Sequence, residues 1–365
     1  MRLGSDALKL PESAKYTAVQ QLERAAEHGL AGLFFRTLLH LSDTLDPGEL
    51  ADVRTRADEL GLYLEAGLGK VNPYNTAESP ELRALGDGDT VAGFRRMMEA
   101  AAAVGITELW GETATIKPYE GRFAYDRFRT DVPWSDQLAA TGRFLTTLAP
   151  IARDLGLHIN LETHEEITTF ELVRLVETVG PDTLGITFDT ANVLQRAEDP
   201  VLAARRIAPY VRQTHIKDAA LFRRPDGLAF QMRPVGDGCV DIGAILPILY
   251  EANPDLNLSL EVRDYGGAPH LPRRGADRRA AISVYEPEWM AGHPDLTPGE
   301  LAAYFLLVQR HEERVAAGEV PGHAAYAAAS WTLEDAWAYV HTSLDHVRAA
   351  AESHGIALDA AATRA

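Results

Sequence analysis

With 365 residues, 46% hydrophobic and 24% charged, the chain is long enough for one large α/β barrel or two ordinary domains, and its balance is that of a soluble globular protein. A formal net charge of −18, from 35 Lys+Arg and 53 Asp+Glu, repels phosphate backbones and argues against nucleic acid as a partner; most of it reads simply as a solvated acidic surface. The single cysteine, Cys239, excludes an internal disulfide and a zinc cluster of thiolates. No apolar run reaches the roughly 18 residues a membrane span needs, and Met1–Asp6 lacks the pattern of a secretory signal, so a cytoplasmic location is the default expectation.

Short apolar runs alternate with amphipathic stretches along the chain. Strands are expected at Arg2–Leu10, Gly32–Arg36, Leu62–Leu68, Glu108–Gly111, His158–Glu162, Leu184–Asp189, Val211–Lys217 and Asn257–Val262. Helices are expected between them at Tyr16–His28, Pro47–Leu60, Thr90–Val104, Trp134–Leu155, Thr168–Val179, Pro200–Ala208 and Ile242–Glu251. Eight strand–helix units predict a closed parallel (β/α)8 TIM barrel. An open doubly wound sheet is the alternative, opposed by the absence of Gly-x-Gly-x-x-Gly after the first strand. After the eighth strand, Asp264–Ala281 has loop composition, and helices follow at Pro298–Ala317 and Thr332–Ser353, the latter opened by a Thr332/Asp335 capping box. The chain is therefore expected to be a single domain, 1–365, with residues 264–331 inserted between the eighth strand and the last barrel helix. In the alternative, Pro298–Ala317 is the eighth barrel helix and the last helix an appendage.

Barrel active sites lie at the C-terminal ends of the strands. There the fifth strand carries Glu162, the sixth Asp189, the seventh His215 and the eighth Glu261. Three carboxylates and an imidazole make a hard, mixed set suited to manganese, magnesium, cobalt or zinc, with one manganese ion the first expectation. Side chains two apart share a face, so His164, Lys217 and Arg263 are expected above that set. Each residue alone has a plainer explanation, as a helix cap, a rim hydrogen bond or a loop ion pair. Together, buried like charges at one mouth would be costly without a cation.

The segments LETH at 161–164, FDTAN at 188–192, HIKD at 215–218, VGDGCVD at 235–241 and LEVRD at 260–264 resemble the xylose isomerase-like superfamily, in its sugar phosphate isomerase/epimerase branch. The likeness covers residues 158–264 by motif and the first half only by rhythm. It implies that Glu162, Asp189, His215 and Glu261 bind a divalent metal, and that the two glutamates exchange protons on opposite faces of the substrate in epimerases. Those epimerases often carry a histidine where this chain has Asn192, a departure that leaves Asn192 to position substrate or to bond within its loop. Asp237 and Asp241 read as turn and cap residues. The Glu-x-His pair at 162–164 also resembles the large subunit of C-glycoside deglycosidases, which work with a small partner subunit.

The expected chemistry is loss of a proton beside a carbonyl of a sugar or keto-sugar, with His164, Glu162 and Glu261 as candidate bases and His164 preferred as a free imidazole. Lys217, Arg263 and Asn192 would bind substrate. Reprotonation makes an isomerase or epimerase; expulsion of a leaving group makes a lyase, as in inosose dehydratases or C-glycoside deglycosidases. A DNA-repair endonuclease is opposed by the charge and by the lack of extra histidine ligands; a non-enzymatic barrel is the remaining alternative. Glu65, Trp110 and Glu112 are further pocket candidates. A homo-oligomer or a small partner subunit is compatible with all of these.

Overall fold

A computed structural model describes residues 1–76, 79–113, 132–262, 282–329 and 332–358. Strands β1 (Arg2–Asp6), β2 (Gly32–Phe35), β3 (Tyr63–Lys70), β4 (Glu108–Glu112), β5 (His158–Glu162), β6 (Leu184–Asp189), β7 (Val211–Ile216) and β10 (Asn257–Leu260) close into a parallel barrel in chain order. β8 (Asp218–Arg224) and β9 (Gly227–Arg233) form a separate antiparallel hairpin after β7. The helices are α1 (Ala18–Glu27), α2 (Pro47–Glu59), α3 (Pro73–Thr76), α4 (Pro80–Leu85), α5 (Thr90–Ala103), α6 (Trp134–Asp154), α7 (Thr169–Val179), α8 (Pro200–Ile207), α9 (Ile242–Ala252), α10 (Pro287–Ala291), α11 (Pro298–Ala316), α12 (His323–Ala328) and α13 (Leu333–Ser353). Among the described residues, no helix is long and apolar enough to cross a membrane.

Local chemistry sets the element ends. Thr17/Gln20, Thr168/Glu171 and Thr297/Glu300 form capping boxes, as does the predicted pair Thr332/Asp335. β1 is shorter than its apolar run suggests: the Asp6 carboxylate accepts the Leu8 N–H at 2.9 Å and caps a 3-10 turn over Ala7–Lys9. The hairpin was not expected either. Its turn signal, Pro225-Asp226-Gly227, stands in the sequence, and Gly227 has φ +137°, which a residue with a side chain rarely adopts.

The barrel interior alternates large rings with missing side chains. Tyr63 crosses to Ser259, its Oη 2.8 Å from the Ser259 hydroxyl. Gly4 and Gly32 leave room for it: a Cβ on Gly32 would lie 2.2 Å from the Tyr63 ring. Trp110 fills the next level up, 6.0 Å edge-on to Phe34. Below it, Asn160 bonds Gln213 at 3.2 Å and Glu65 accepts from Asn257 at 2.8 Å, so Glu65 lies deeper in the barrel than the strand ends.

Beyond β10, α11 reaches across the loops that follow β6 and β7. Tyr304 Oη donates to the Leu194 carbonyl at 2.7 Å, and Arg314 donates to the carbonyls of Gly238 and Gly236, each at 2.9 Å. α13 packs on α9 and β10, with Trp337 stacked on His28 at the end of α1, ring centroids 3.5 Å apart.

The turn after the hairpin closes on one carboxylate. Asp218, buried, accepts the N–H groups of Ala219, Gly236, Gly238 and Val240 at 2.7–3.0 Å. A Cβ on Gly238 would meet Asp218 Oδ1 at 2.1 Å, which explains the glycine. Asp241, as expected, caps α9 by accepting the Ala244 N–H. Asp218→Asn replaces an acceptor-only group by an amide that turns two donors toward other donors. A loss of about 2–4 kcal/mol is expected, read as a lowered urea midpoint at unchanged m-value.

Candidate functional site

Where the parallel ladder runs out, threonine hydroxyls continue it. Thr163 Oγ1 donates to the Asp189 carbonyl at 2.9 Å and accepts the Asp189 N–H at 2.8 Å. Thr190 Oγ1 does the same with Lys217, at 2.6 and 2.9 Å. These two clamps hold the ends of β5, β6 and β7 in register where Glu162, Asp189 and His215 leave the sheet.

One donor atom each from Glu162, Asp189, His215 and Glu261 lies within 4.8 Å of the others, and all four side chains are buried. His215 Nδ1 is 3.1 Å from Glu162 Oε1 and 3.5 Å from Glu261 Oε2, while its Nε2 is buried without a hydrogen-bond partner. Asp189 Oδ1 accepts the N–H groups of Ala191 and Asn192, both at 2.9 Å, which aims the carboxylate inward. Trp110 Nε1 donates to Glu162 Oε2 at 3.1 Å.

Lys217 does not stand above this set as expected. Its Nζ lies within it, 3.0 Å from both Asp189 Oδ2 and Glu261 Oε2 and 3.2 Å from Asn192 Oδ1. Asn192 also turns its amide toward Glu162 Oε1 at 3.4 Å, so it ties the donors together. Arg263 lies outside the described residues.

His164 is buried above the donors. Its Nδ1 is 2.7 Å from Glu166 Oε2 and 3.0 Å from Glu165 Oε2, and its Nε2 is 3.6 Å from Glu112 Oε2. Burial disfavours the imidazolium, but the carboxylates of Glu165, Glu166 and Glu162 outweigh it and hold the pKa well above the ordinary histidine value. That setting favours the imidazolium over the free imidazole expected from the sequence.

Several participants were not foreseen. Arg36, after β2, bonds Asp6 Oδ2 and Glu261 Oε1, both at 2.9 Å, and Lys9 Nζ is 3.6 Å from Glu261 Oε1. Asp6 ends β1, four residues before the Leu10 end expected from the sequence. Arg36 carried a usable signal, two positions past the inward-facing Phe34.

The electrostatics of the cluster favour a further positive charge. Burial works to raise Glu162, but His215, by charge and hydrogen bond, pulls it down to about 2. Burial also opposes ionisation of Glu261, yet Lys217, Arg36 and Lys9 hold it well below the carboxylate range. Burial, with Glu261 and Glu162 facing it, drives Asp189 up to about 8 despite Lys217. Among the described residues, seven carboxylates (Asp6, Glu112, Glu162, Glu165, Glu166, Asp189, Glu261) gather around three fixed cations, Lys9, Arg36 and Lys217. Oxygen and imidazole donors, convergent and buried, fit a hard divalent cation, which would relieve the Asp189 repulsion.

A parallel eight-stranded barrel with an acid–histidine centre at its strand ends is the class of protein that fold and site define. Residues 22–290 match the family described as Xylose isomerase-like TIM barrel, and the chain belongs to that family. Among curated relatives it is 26% identical over 220 residues to the uncharacterized protein YihM of Escherichia coli, covering 57% of this chain and only 64% of that protein's length. It is 26% identical over 243 residues to 3-oxo-isoapionate decarboxylase of Pectobacterium atrosepticum, covering 66% and 75%. It is 29% identical over 140 residues to inosose dehydratase of Lacticaseibacillus casei, covering 34% and 46%. Among solved structures, D-psicose 3-epimerase in the presence of D-fructose superposes with a TM-score of 0.55 at 18% identity, covering 86% of this chain and 98% of that one. The IOLI protein with a bound zinc atom superposes at 0.51 and 17%, covering 88% and 100%. Both superpositions speak to the fold alone.

Proposed function

We propose that this chain is a divalent-metal-dependent enzyme that moves a proton on the carbon beside a carbonyl of a sugar or keto-sugar, as an isomerase or epimerase. The observation that carries it is the meeting of four donors from four consecutive barrel strands within 4.8 Å. Glu162, Asp189, His215 and Glu261 would hold the ion, manganese first, with magnesium, cobalt or zinc as alternatives. When bound, such an ion supplies Lewis-acid polarisation of a carbonyl.

The chain's own residues supply the rest. Lys217, already at Asp189 and Glu261, stabilises negative charge developing on a substrate oxygen, and Asn192 keeps Lys217 and Glu162 aligned. Glu162 and Glu261 are the acceptors for the substrate proton. His164, whose glutamate neighbours favour its charged form, is assigned the role of proton donor in place of the base expected from the sequence. Residues 264–331 are proposed as an insertion between β10 and the last barrel helix, and the substrate as a small carbohydrate.

A second reading, a lyase on a keto-sugar, has its own support. The curated relatives include a decarboxylase and a dehydratase, and a charged His164 is suited to protonating a leaving group. The test is incubation of manganese-loaded protein with keto-sugars and 3-keto-glycosides in deuterated water. Deuterium in recovered or isomerised sugar is the expected result; release of water, carbon dioxide or an aglycone moves the assignment to the lyase. Neither outcome, with metal demonstrably bound, overturns both. His164→Gln is expected to slow turnover on the order of 100-fold or more, the usual span for general acid–base catalysis, with manganese affinity changed little by calorimetry.

A further inference from the structure

Far from the donor set, α1 and α13 meet at a seam between the first and last helices of the chain. His28, which ends α1, and His341 on α13 face one another there, with His28 Nδ1 3.2 Å from His341 Nε2. The His28 ring lies flat on Trp337, centroids 3.5 Å and planes 7° apart. Arg24 stands 5.5 Å from the same Trp337 ring and donates to Tyr16 Oη at 3.0 Å. Arg348 adds a bond across the seam, from Nη2 to the Gly29 carbonyl at 2.9 Å. His28 is half-buried and His341 exposed, so protons reach the pair from solvent.

Two imidazole nitrogens at that distance share one hydrogen, one ring donating and the other accepting. A single added proton leaves the pair satisfied: an imidazolium donates to the neutral ring, and stacking on Trp337 favours the charge. A second proton sets N–H against N–H and one positive charge against another. Burial first, then His341 and Arg24, hold His28 below the ordinary histidine value, against the opposing pull of Glu27. On α13, Asp345 lies one turn beyond His341, and Arg348 Nη1 donates to it at 3.5 Å. We infer that the His28–His341 pair is an acid-sensitive latch, fastening α13 to α1 while it holds at most one added proton and releasing the seam when it holds two. A histidine whose folded value is depressed stabilises the chain above about pH 6.5 and loses that contribution as the pH falls through the folded value. Release therefore belongs to mild acid. α13 also packs on β10, the strand that leads into Glu261, so the latch acts on a support of the barrel wall.

Hydrogen exchange of the full chain at about pH 7.5 and about pH 5, corrected for the intrinsic rate, reads the latch. The opening equilibrium of the α13 amides is expected to rise about 10-fold relative to those of α6, the change carried by one unit of pKa depression. His341→Gln keeps a hydrogen-bonding amide that cannot gain a charge. It is expected to remove most of that rise and to move the NMR titration of His28 upward. An α13 response no larger than that of α6, or one undiminished in H341Q, overturns the latch. Should H341Q not fold, the His28 ring resonances of the unaltered chain decide: two coupled steps are expected, and one independent step at the ordinary histidine value overturns the pair.

Discussion

Glu261→Gln is expected to weaken divalent-metal binding on the order of 100-fold or more and to take proton exchange below detection. Removing groups that merely support a metal ligand already costs about 10–100-fold in affinity, and Glu261 is proposed as a ligand itself. The structure makes the loss larger than one donor. Glu261 Oε2 is shared by Lys217 and approached by His215, and Oε1 takes Arg36 and Lys9. An amide in its place leaves those cations facing a neutral group, and their charges then oppose an incoming divalent ion. Breaking a buried pair of this kind costs about 3–5 kcal/mol, so folding is checked first by circular dichroism and thermal unfolding. Calorimetry with manganese then reads the affinity, with Glu65→Gln as the control: Glu65 is equally buried but bonds Asn257 deeper in the barrel. Should E261Q bind manganese as tightly as the unaltered chain, the four-donor assignment fails.

Gly32→Ala should be among the most destabilising single-methyl additions in the chain. Its Cβ would sit 2.2 Å from two atoms of the Tyr63 ring, well inside contact distance. The ring cannot swing away freely, because its hydroxyl is held at Ser259 and β1 runs so close that a Cβ on Gly4 would lie 2.3 Å from that hydroxyl. Overpacking typically costs 1–3 kcal/mol, occasionally more, and about 3 kcal/mol is expected here. Denaturant unfolding of Gly32→Ala, Tyr63→Leu and the double variant measures it. Tyr63→Leu opens the space the methyl needs, so the double variant is expected to be more stable than the sum of the two losses implies. Additive losses would show that the ring is not what Gly32 accommodates.

The donor set was legible in advance because it depends on strand ends, and strand ends are local. LETH, FDTAN, HIKD and LEVRD each close a short apolar run, and a parallel barrel brings every such end to one rim. The supporting residues were less legible. Asp6 was concealed by an apolar run that continues into a 3-10 turn, and Arg36 is meaningful only because β1 and β2 bring it to Asp6 and Glu261. The hairpin at 218–233 carries a Pro-Asp-Gly signal, a weaker mark than the motifs on either side of it.

Periodicity and end chemistry by themselves therefore determined the barrel, the order of its strands, most helix limits and which four side chains would meet. Both are properties of residues near one another in the chain. Only the tertiary structure decided how those side chains are charged. Lys217 drops among the carboxylates, His164 is surrounded by three glutamates beside Glu162, and Asp189 is driven toward its neutral form by burial and its neighbours. Ionisation in a buried site depends on every charge within several ångströms, and those charges come from positions more than two hundred residues apart, such as Arg36 and Glu261.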